Sequence, residues 1–160
     1  VVGKEEFMRF AEHTFISSTF WTERIGPTAA LKTLEIMERE KSWIDITNKG
    51  KNITSRWKGL AQKYNISIET AGLPALTSFV INSKDWLKYK TLITQEMLKK
   101  GILASNSIYS CTEHGNNVTD LYFNELEIIF NNISKCEQNI LNIDELINGK
   151  VCHSGFKRLN

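Results

Sequence analysis

The sequence predicts an α+β fold in which helices pack on a small, mainly antiparallel sheet. Apolar residues recur at helical spacing in four long stretches of the chain. Residues 66–69 and 76–81 instead show strand patterns, and a Gly72-Leu73-Pro74 step separates the two. With 160 residues, 41% of them hydrophobic, the chain can bury one domain core, or one domain and part of another. Helices segregated over a short strand pair therefore indicate the α+β class.

The N-terminal third predicts three helices. Residues 4–12 form a short helix, and residues 13–20 a loop or a short strand. A second helix begins at Glu23 or Pro27, because Pro is tolerated in a first helical turn, and it ends near residue 39. Residues 40–64 predict a third helix, although Gly50 and Gly59 interrupt it.

The rest of the chain predicts a sheet and two further long helices. Residues 66–69 and 76–81 form a hairpin, and Ser83 caps a helix that runs to residue 100. Residues 102–104 form a short strand, and residues 107–112 are a candidate for another. Thr119 caps the last long helix, whose buried stripe is Tyr122, Leu126, Ile129, Phe130 and Ile133.

Charge, hydropathy and cysteine content exclude several function classes. The net charge of +2 comes from 20 basic and 18 acidic residues, so we expect no nucleic acid or membrane surface as partner. The acidic and basic residues at positions 4–6 interrupt any signal peptide, which disfavours a secreted glycoprotein. The three cysteines lack metal-ligand spacing, so we expect free thiols, no metal and a cytoplasmic location.

The most informative stretch is residues 17–30, which reads S-S-T-F-W-T-E-R-I-G-P-T-A-A. Three consecutive hydroxyl residues precede a predicted helix start. Hydroxyls and unpaired backbone N–H groups at a helix N-terminus are suited to holding a phosphate. The alternative is that these residues only cap the helix. Two other readings also stay open: Glu23 and Arg24 are a solvated charge pair, or they line a pocket.

Several segments, in the same order along the chain, resemble class III aminotransferases. Residues 1–8 and 14–37 carry the strongest likeness, closest to the glutamate-1-semialdehyde aminomutase group. The later segments read G-L-P-A-L-T-S-F-V-I, M-L-K-K-G-I-L-A-S and T-E-H-G-N-N-V-T-D. These enzymes depend on pyridoxal phosphate and have fold type I. The resemblance implies that residues 1–32 end the large cofactor-binding domain, residues 33–135 form the small α+β domain and residues 136–160 form a tail.

The resemblance also implies roles for individual residues. Thr19 would contact the cofactor phosphate of the other subunit in a homodimer, with Ser18 as its neighbour in the site. The family has a small-Gly-Asn-Pro run after that Thr, whereas this chain has Trp21-Thr22-Glu23-Arg24. Trp21, Glu23 and Arg24 are therefore candidate contacts for a small amino acid or a keto or aldehyde substrate.

The lysine that carries the cofactor in this family lies further upstream than this chain reaches. The resemblance therefore implies a C-terminal piece of a longer enzyme, inactive by itself, with no catalytic residue of its own. The alternative is a non-catalytic α+β binding domain derived from such an enzyme. A lysine following a strand upstream of Val1 would favour the enzyme.

Overall fold

The structure is a computed structural model that describes residues 3–15 and 23–155. The chain divides into two compact units, residues 1–40 and residues 41–160. The domain limits that the resemblance implies, at residues 32 and 135, stay predictions about the parent enzyme.

The first unit contains only helices in its described part. Helix α1 (Glu5–Met8) continues into a 3₁₀ helix (Arg9–His13), and α2 spans Ile25–Glu40. The helix predicted over residues 4–12 is therefore present, but its second half winds more tightly. Along α2, Leu31 and Leu34 lie on the apolar side and are 65% and 60% exposed. The described residues of this unit bury no side chain in a core of their own.

The second unit alternates helices and strands in the predicted order. Its elements are α3 (Ser42–Lys63), β1 (Ile68–Leu73), β2 (Leu76–Ile81), α4 (Trp86–Lys99), β3 (Ser107–Tyr109), α5 (Asn116–Glu137) and α6 (Ile143–Leu146). The predicted α+β class is confirmed. Helix α5 continues past residue 135, and Ile143 of α6 is buried in the core, so part of the predicted tail belongs to this unit.

The sheet is antiparallel throughout, in the order β1-β2-β3. Leu73 pairs with Leu76 around a two-residue turn, and Thr77 lies opposite Gly72 on one side and Ile108 on the other. On β2, alternation buries Thr77, Phe79 and Ile81, as expected for a sheet with one covered face. The covered face meets α3 and α4.

The core of the second unit is built around aromatic side chains. The ring of Phe79 lies 4.8 Å from that of Trp57 and 6.0 Å from that of Phe130, centroid to centroid. The predicted stripe of α5 is confirmed, because all five of its members are buried, and α4 contributes Leu92, Ile93 and Met97. Aromatic pairs in such tilted arrangements add to the stabilisation from burial alone.

Helices α3 and α5 lie side by side and run in the same direction. The indole N–H of Trp57 donates to the Tyr122 hydroxyl over 2.9 Å, and the Ser134 hydroxyl donates to the Tyr64 carbonyl over 2.8 Å. Arg56 also pairs with Asp120 at 2.7 Å. Across these three pairs the residue number on α5 rises together with the residue number on the α3 side, so the two helices run parallel.

Several local predictions are wrong. Strand β1 spans Ile68–Leu73 rather than residues 66–69, so Gly72 and Leu73 lie inside it. Helix α4 begins at Trp86, and its N-cap is Asp85 rather than Ser83.

Residues 102–104 are not a strand, because the third place in the sheet goes to β3, where Asn106 accepts a backbone bond from Phe79 over 2.9 Å. Helix α5 begins three residues before Thr119, with Gly115 as its N-cap. The Thr119 hydroxyl instead donates to the carbonyls of Gly115 and Asn116 within the first turn. Strand pairing overrides local preference at residues 102–104.

Candidate functional site

The start of α2 is the described part of the predicted phosphate-binding stretch. Ser18, Thr19 and Trp21 lie outside the described residues, so their predicted roles are untested by the structure. Glu23 and Arg24 are described, and Arg24 is exposed. The Glu23 carboxylate accepts backbone N–H bonds from Gly26, over 3.0 Å, and from Ile25. Glu23 therefore caps its own helix with both of its oxygens.

This capping accounts for every backbone donor in the first turn of α2. The N–H groups of Ile25 and Gly26 go to Glu23, Pro27 has none, and that of Thr28 donates to the Arg24 carbonyl over 3.0 Å. A helix N-terminus attracts anions through unpaired donors, and here a carboxylate already occupies them. A phosphate held by this stretch would therefore depend on the hydroxyls of residues 17–19 rather than on the helix end.

A second candidate site is an apolar cavity of about 320 Å³ in the second unit. It is lined by Ile102, Ala104 and Ile108 on one side and by Val118 and Tyr122 of α5 on the other. His114 supplies a polar group at its wall, and the His114 Nδ1 accepts the Cys111 N–H over 3.4 Å. Apolar walls with few polar groups are typical of small-molecule sites.

Sequence analysis missed this cavity for a specific reason. His114 belongs to no recognised metal-ligand or catalytic motif, although Cys111 and Glu113 lie close to it in sequence. The sequence predicts a strand at residues 102–104, which would place their side chains on the sheet. Only the folded chain brings this segment beside the first turns of α5.

The described lysines can be compared with what pyridoxal phosphate chemistry requires. That cofactor needs a lysine whose amine is free to act as a nucleophile, and desolvation usually lowers its pKa. The hydrogen bond to Glu127 instead raises the pKa of Lys63, and the hydrogen bond to Asp144 raises that of Lys88. The Lys88 ammonium also lies 3.6 Å from Asp85. These two lysines, each beside a cavity, do not fit the role of cofactor lysine.

The described residues contain neither a metal-binding cluster nor a helix that could span a membrane. Within residues 3–15 and 23–155, no group of three or more His, Cys, Asp and Glu side chains could hold a metal ion. None of the helices described in these ranges is long and apolar enough to cross a membrane.

The fold of the chain matches one part of a solved enzyme of fold type I. It resembles the FumI protein of Sphingopyxis sp. MTA144, solved in its PLP internal aldimine form, with a TM-score of 0.75 and 13% sequence identity. That likeness covers 91% of this chain and 36% of the FumI chain. No protein-family model matches the chain.

The sequence likeness is to an aminotransferase. Over 96 residues the chain is 30% identical to 3-aminobutyryl-CoA aminotransferase of Cloacimonas acidaminovorans (strain Evry). The aligned region is 59% of this chain and 23% of that protein. The chain is therefore aminotransferase-like and spans less than a quarter of the length of this relative.

Proposed function

We propose that this chain is the C-terminal part of a class III aminotransferase or aminomutase that uses pyridoxal phosphate. The parent enzyme moves an amino group between an amino acid and a carbonyl compound, or within one molecule. The 30% identity to an aminotransferase over 96 residues carries the proposal. The fold shared with FumI over 91% of the chain supports it from an independent direction.

In this proposal Thr19 and Ser18 contact the cofactor phosphate of the partner subunit of a homodimer. Because Glu23 caps α2, the helix end has no donor left for the anion, so in this proposal the phosphate depends on these hydroxyls. Bound pyridoxal phosphate supplies an electron sink for bond cleavage at the amino-bearing carbon. This chain supplies a phosphate contact and part of the substrate surface.

Of the two described candidate substrate contacts in this stretch, the proposal keeps Arg24 and not Glu23. Both oxygens of Glu23 bind the backbone of α2, so Glu23 orients the helix start rather than the substrate. Arg24 is exposed, and a guanidinium suits the carboxylate of an amino or keto acid. The relative in Cloacimonas acts on 3-aminobutyryl-CoA, a β-amino thioester, which extends the proposed substrate class to carbonyl compounds of that size.

The first test is the coding region upstream of Val1. The proposal expects a strand followed by a lysine, with an acidic residue at an earlier strand end. A non-catalytic binding domain would lack both residues. An upstream region without any lysine after a strand would overturn the proposal.

The second test compares the longer protein with the 160-residue chain. With pyridoxal phosphate, borohydride should trap the cofactor on one lysine of the longer protein, read by mass spectrometry of its peptides. The same treatment of the short chain should label surface lysines without turnover, and Lys63 and Lys88 least, because their carboxylate partners keep these two amines protonated. Site-specific labelling with turnover in the short chain would contradict the proposed division of labour.

A further inference from the structure

We infer that the second unit carries a binding site for a phosphate group, in the cavity between α3 and the open edge of β1. The cavity has a volume of about 350 Å³. Lysines and hydroxyl residues line it, and no carboxylate does. This site lies in a different unit from residues 17–24, and its test does not depend on the proposed function.

One wall is a single face of α3. Lys51, Thr54, Ser55 and Lys58 lie three, four and seven positions apart, which places them on one side of a helix. Two ammonium groups therefore project from the same face, one helical turn either side of the hydroxyl pair. Within the described residues, neither lysine forms an ion pair with a carboxylate, in contrast to Lys49 and Lys63 of the same helix.

The other wall is the edge of the sheet. In an antiparallel sheet, residue pairs that exchange backbone hydrogen bonds alternate with pairs that do not. The backbone N–H of Asn82 donates to the Ser67 carbonyl over 2.9 Å, so these two residues form a hydrogen-bonded pair. Counting from that pair, Thr70 is in a pair that exchanges no bonds with β2. Its N–H points to the open edge of β1, because nothing follows β1 in the sheet order. The site therefore includes a backbone donor.

Gly72 lines the cavity near the end of β1, where only a residue without a side chain fits against β2. It lies opposite Thr77 with φ of +97°, and a Cβ there would lie 2.2 Å from the Leu76 carbonyl oxygen. The floor below it is a chain of hydroxyls: Thr77 bonds Thr54 over 2.9 Å, and Thr54 donates to the Gly50 carbonyl over 2.9 Å. The hydroxyl groups of the floor therefore already donate hydrogen bonds within the protein.

The donors that remain define the ligand. In the described residues the hydroxyls of Ser55 and Thr70 have no hydrogen-bond partner, and both lysines contribute unpaired charge. A site with several hydrogen-bond donors, two positive charges and no carboxylate suits an oxyanion with a charge near −2. The volume exceeds that of inorganic phosphate and falls in the range of small-ligand sites. The expected ligand is thus a small molecule that carries a phosphate group.

The test uses the full 160-residue chain and two probes, pyrophosphate and ADP, followed by ¹⁵N amide chemical shifts. We expect saturable shifts at Ser55, Thr70 and Gly72 with a dissociation constant that rises steeply with salt. Preference for ADP indicates a phosphorylated organic ligand, whereas equal binding of pyrophosphate indicates the phosphoryl group alone; both support the site. No saturable shift with either probe up to about 10 mM, an affinity near 3 kcal/mol, overturns it.

A matched pair of double variants separates the site from general charge effects. Lys51→Gln with Lys58→Gln should weaken binding by at least about tenfold, because two charge-assisted hydrogen bonds are lost. Lys84→Gln with Lys150→Gln changes the net charge equally, at exposed lysines outside this cavity, and should leave binding within about twofold. Equal weakening by the two double variants would show nonspecific attraction and would refute the site. All four positions are exposed, so both variants should fold.

Discussion

Replacing Gly50 with alanine tests whether α3 and the β1–β2 turn pack backbone to backbone. Gly50 is buried in the middle of α3. A Cβ at this position would lie 1.6 Å from the carbonyl oxygen of Pro74 and 2.4 Å from its carbonyl carbon. The obstructing atoms belong to the main chain, so no side-chain rotation can relieve the overlap. Either the hairpin turn or the helix has to move by more than about 1 Å.

The magnitude follows from two opposing effects. Alanine gains about 1 kcal/mol of helix propensity over glycine. Overpacking against rigid atoms costs about 1–3 kcal/mol and occasionally more, and the displaced turn also strains the bond between Thr54 and Thr77. We expect a net loss of up to about 2 kcal/mol in the free energy of unfolding, which lowers Tm by up to about 8 °C.

Gly59 provides the matched control in the same helix. No atom lies within 4 Å of a Cβ built there, so Gly59→Ala should gain most of the propensity difference, about 1 kcal/mol. Urea unfolding followed by circular dichroism measures both variants. If Gly50→Ala proves as stable as Gly59→Ala, the close packing of α3 on the turn is refuted.

The remaining predictions concern one buried hydroxyl, one helix cap and one candidate substrate contact. Tyr122→Phe leaves the Trp57 indole N–H without its acceptor and should cost about 1–3 kcal/mol in urea unfolding. Burial raises the pKa of Tyr122, so the unfolded chain loses this proton first as pH rises, and stability should fall above about pH 10. Tyr122→Phe should flatten that slope and the exposed Tyr109→Phe should not; equal slopes would refute the assignment. Glu23→Ala should speed hydrogen exchange at the Ile25 and Gly26 amides, whereas Glu38→Ala, exposed on the same helix, should leave them unchanged. Arg24→Ala in the longer enzyme should raise KM for an acidic substrate, and unchanged KM and kcat would remove Arg24 from the substrate site.

Much of the second unit could be predicted because its patterns are periodic over many residues. The stripe of α5 repeats over more than three turns, and all of it is buried. The limits of β2 match the prediction because Pro74 and Ser83 bound a short apolar run. Patterns of this length leave few alternative arrangements that bury the same side chains.

The failures occur where a choice depends on residues far along the chain. Residues 102–104 and 107–109 both carry short apolar patterns, and the bonds between Phe79 and Asn106 decide which pairs with β2. The lining of the phosphate cavity includes Gly72 and Thr77, which face each other across the sheet, and the sequence of one strand does not reveal its pairing register. The sequence predicts for Glu23 either a surface charge pair or a place in a pocket wall, and it does not predict the cap, since capping from a residue before the helix depends on backbone geometry.

The parallel arrangement of α3 and α5 has a consequence for how the chain is made. The bonds that join them, such as those from Trp57 to Tyr122 and from Ser134 to Tyr64, link residues 65 and 70 positions apart. During synthesis, α3 and the whole sheet therefore leave the ribosome before α5, which packs against them, has been made. During that interval Trp57 and Phe79 lack the Phe130 side of their core and remain open to chaperones or to other nascent chains. Packing α5 against α3 closes a loop of 65 to 70 residues, so local contacts alone cannot complete the domain.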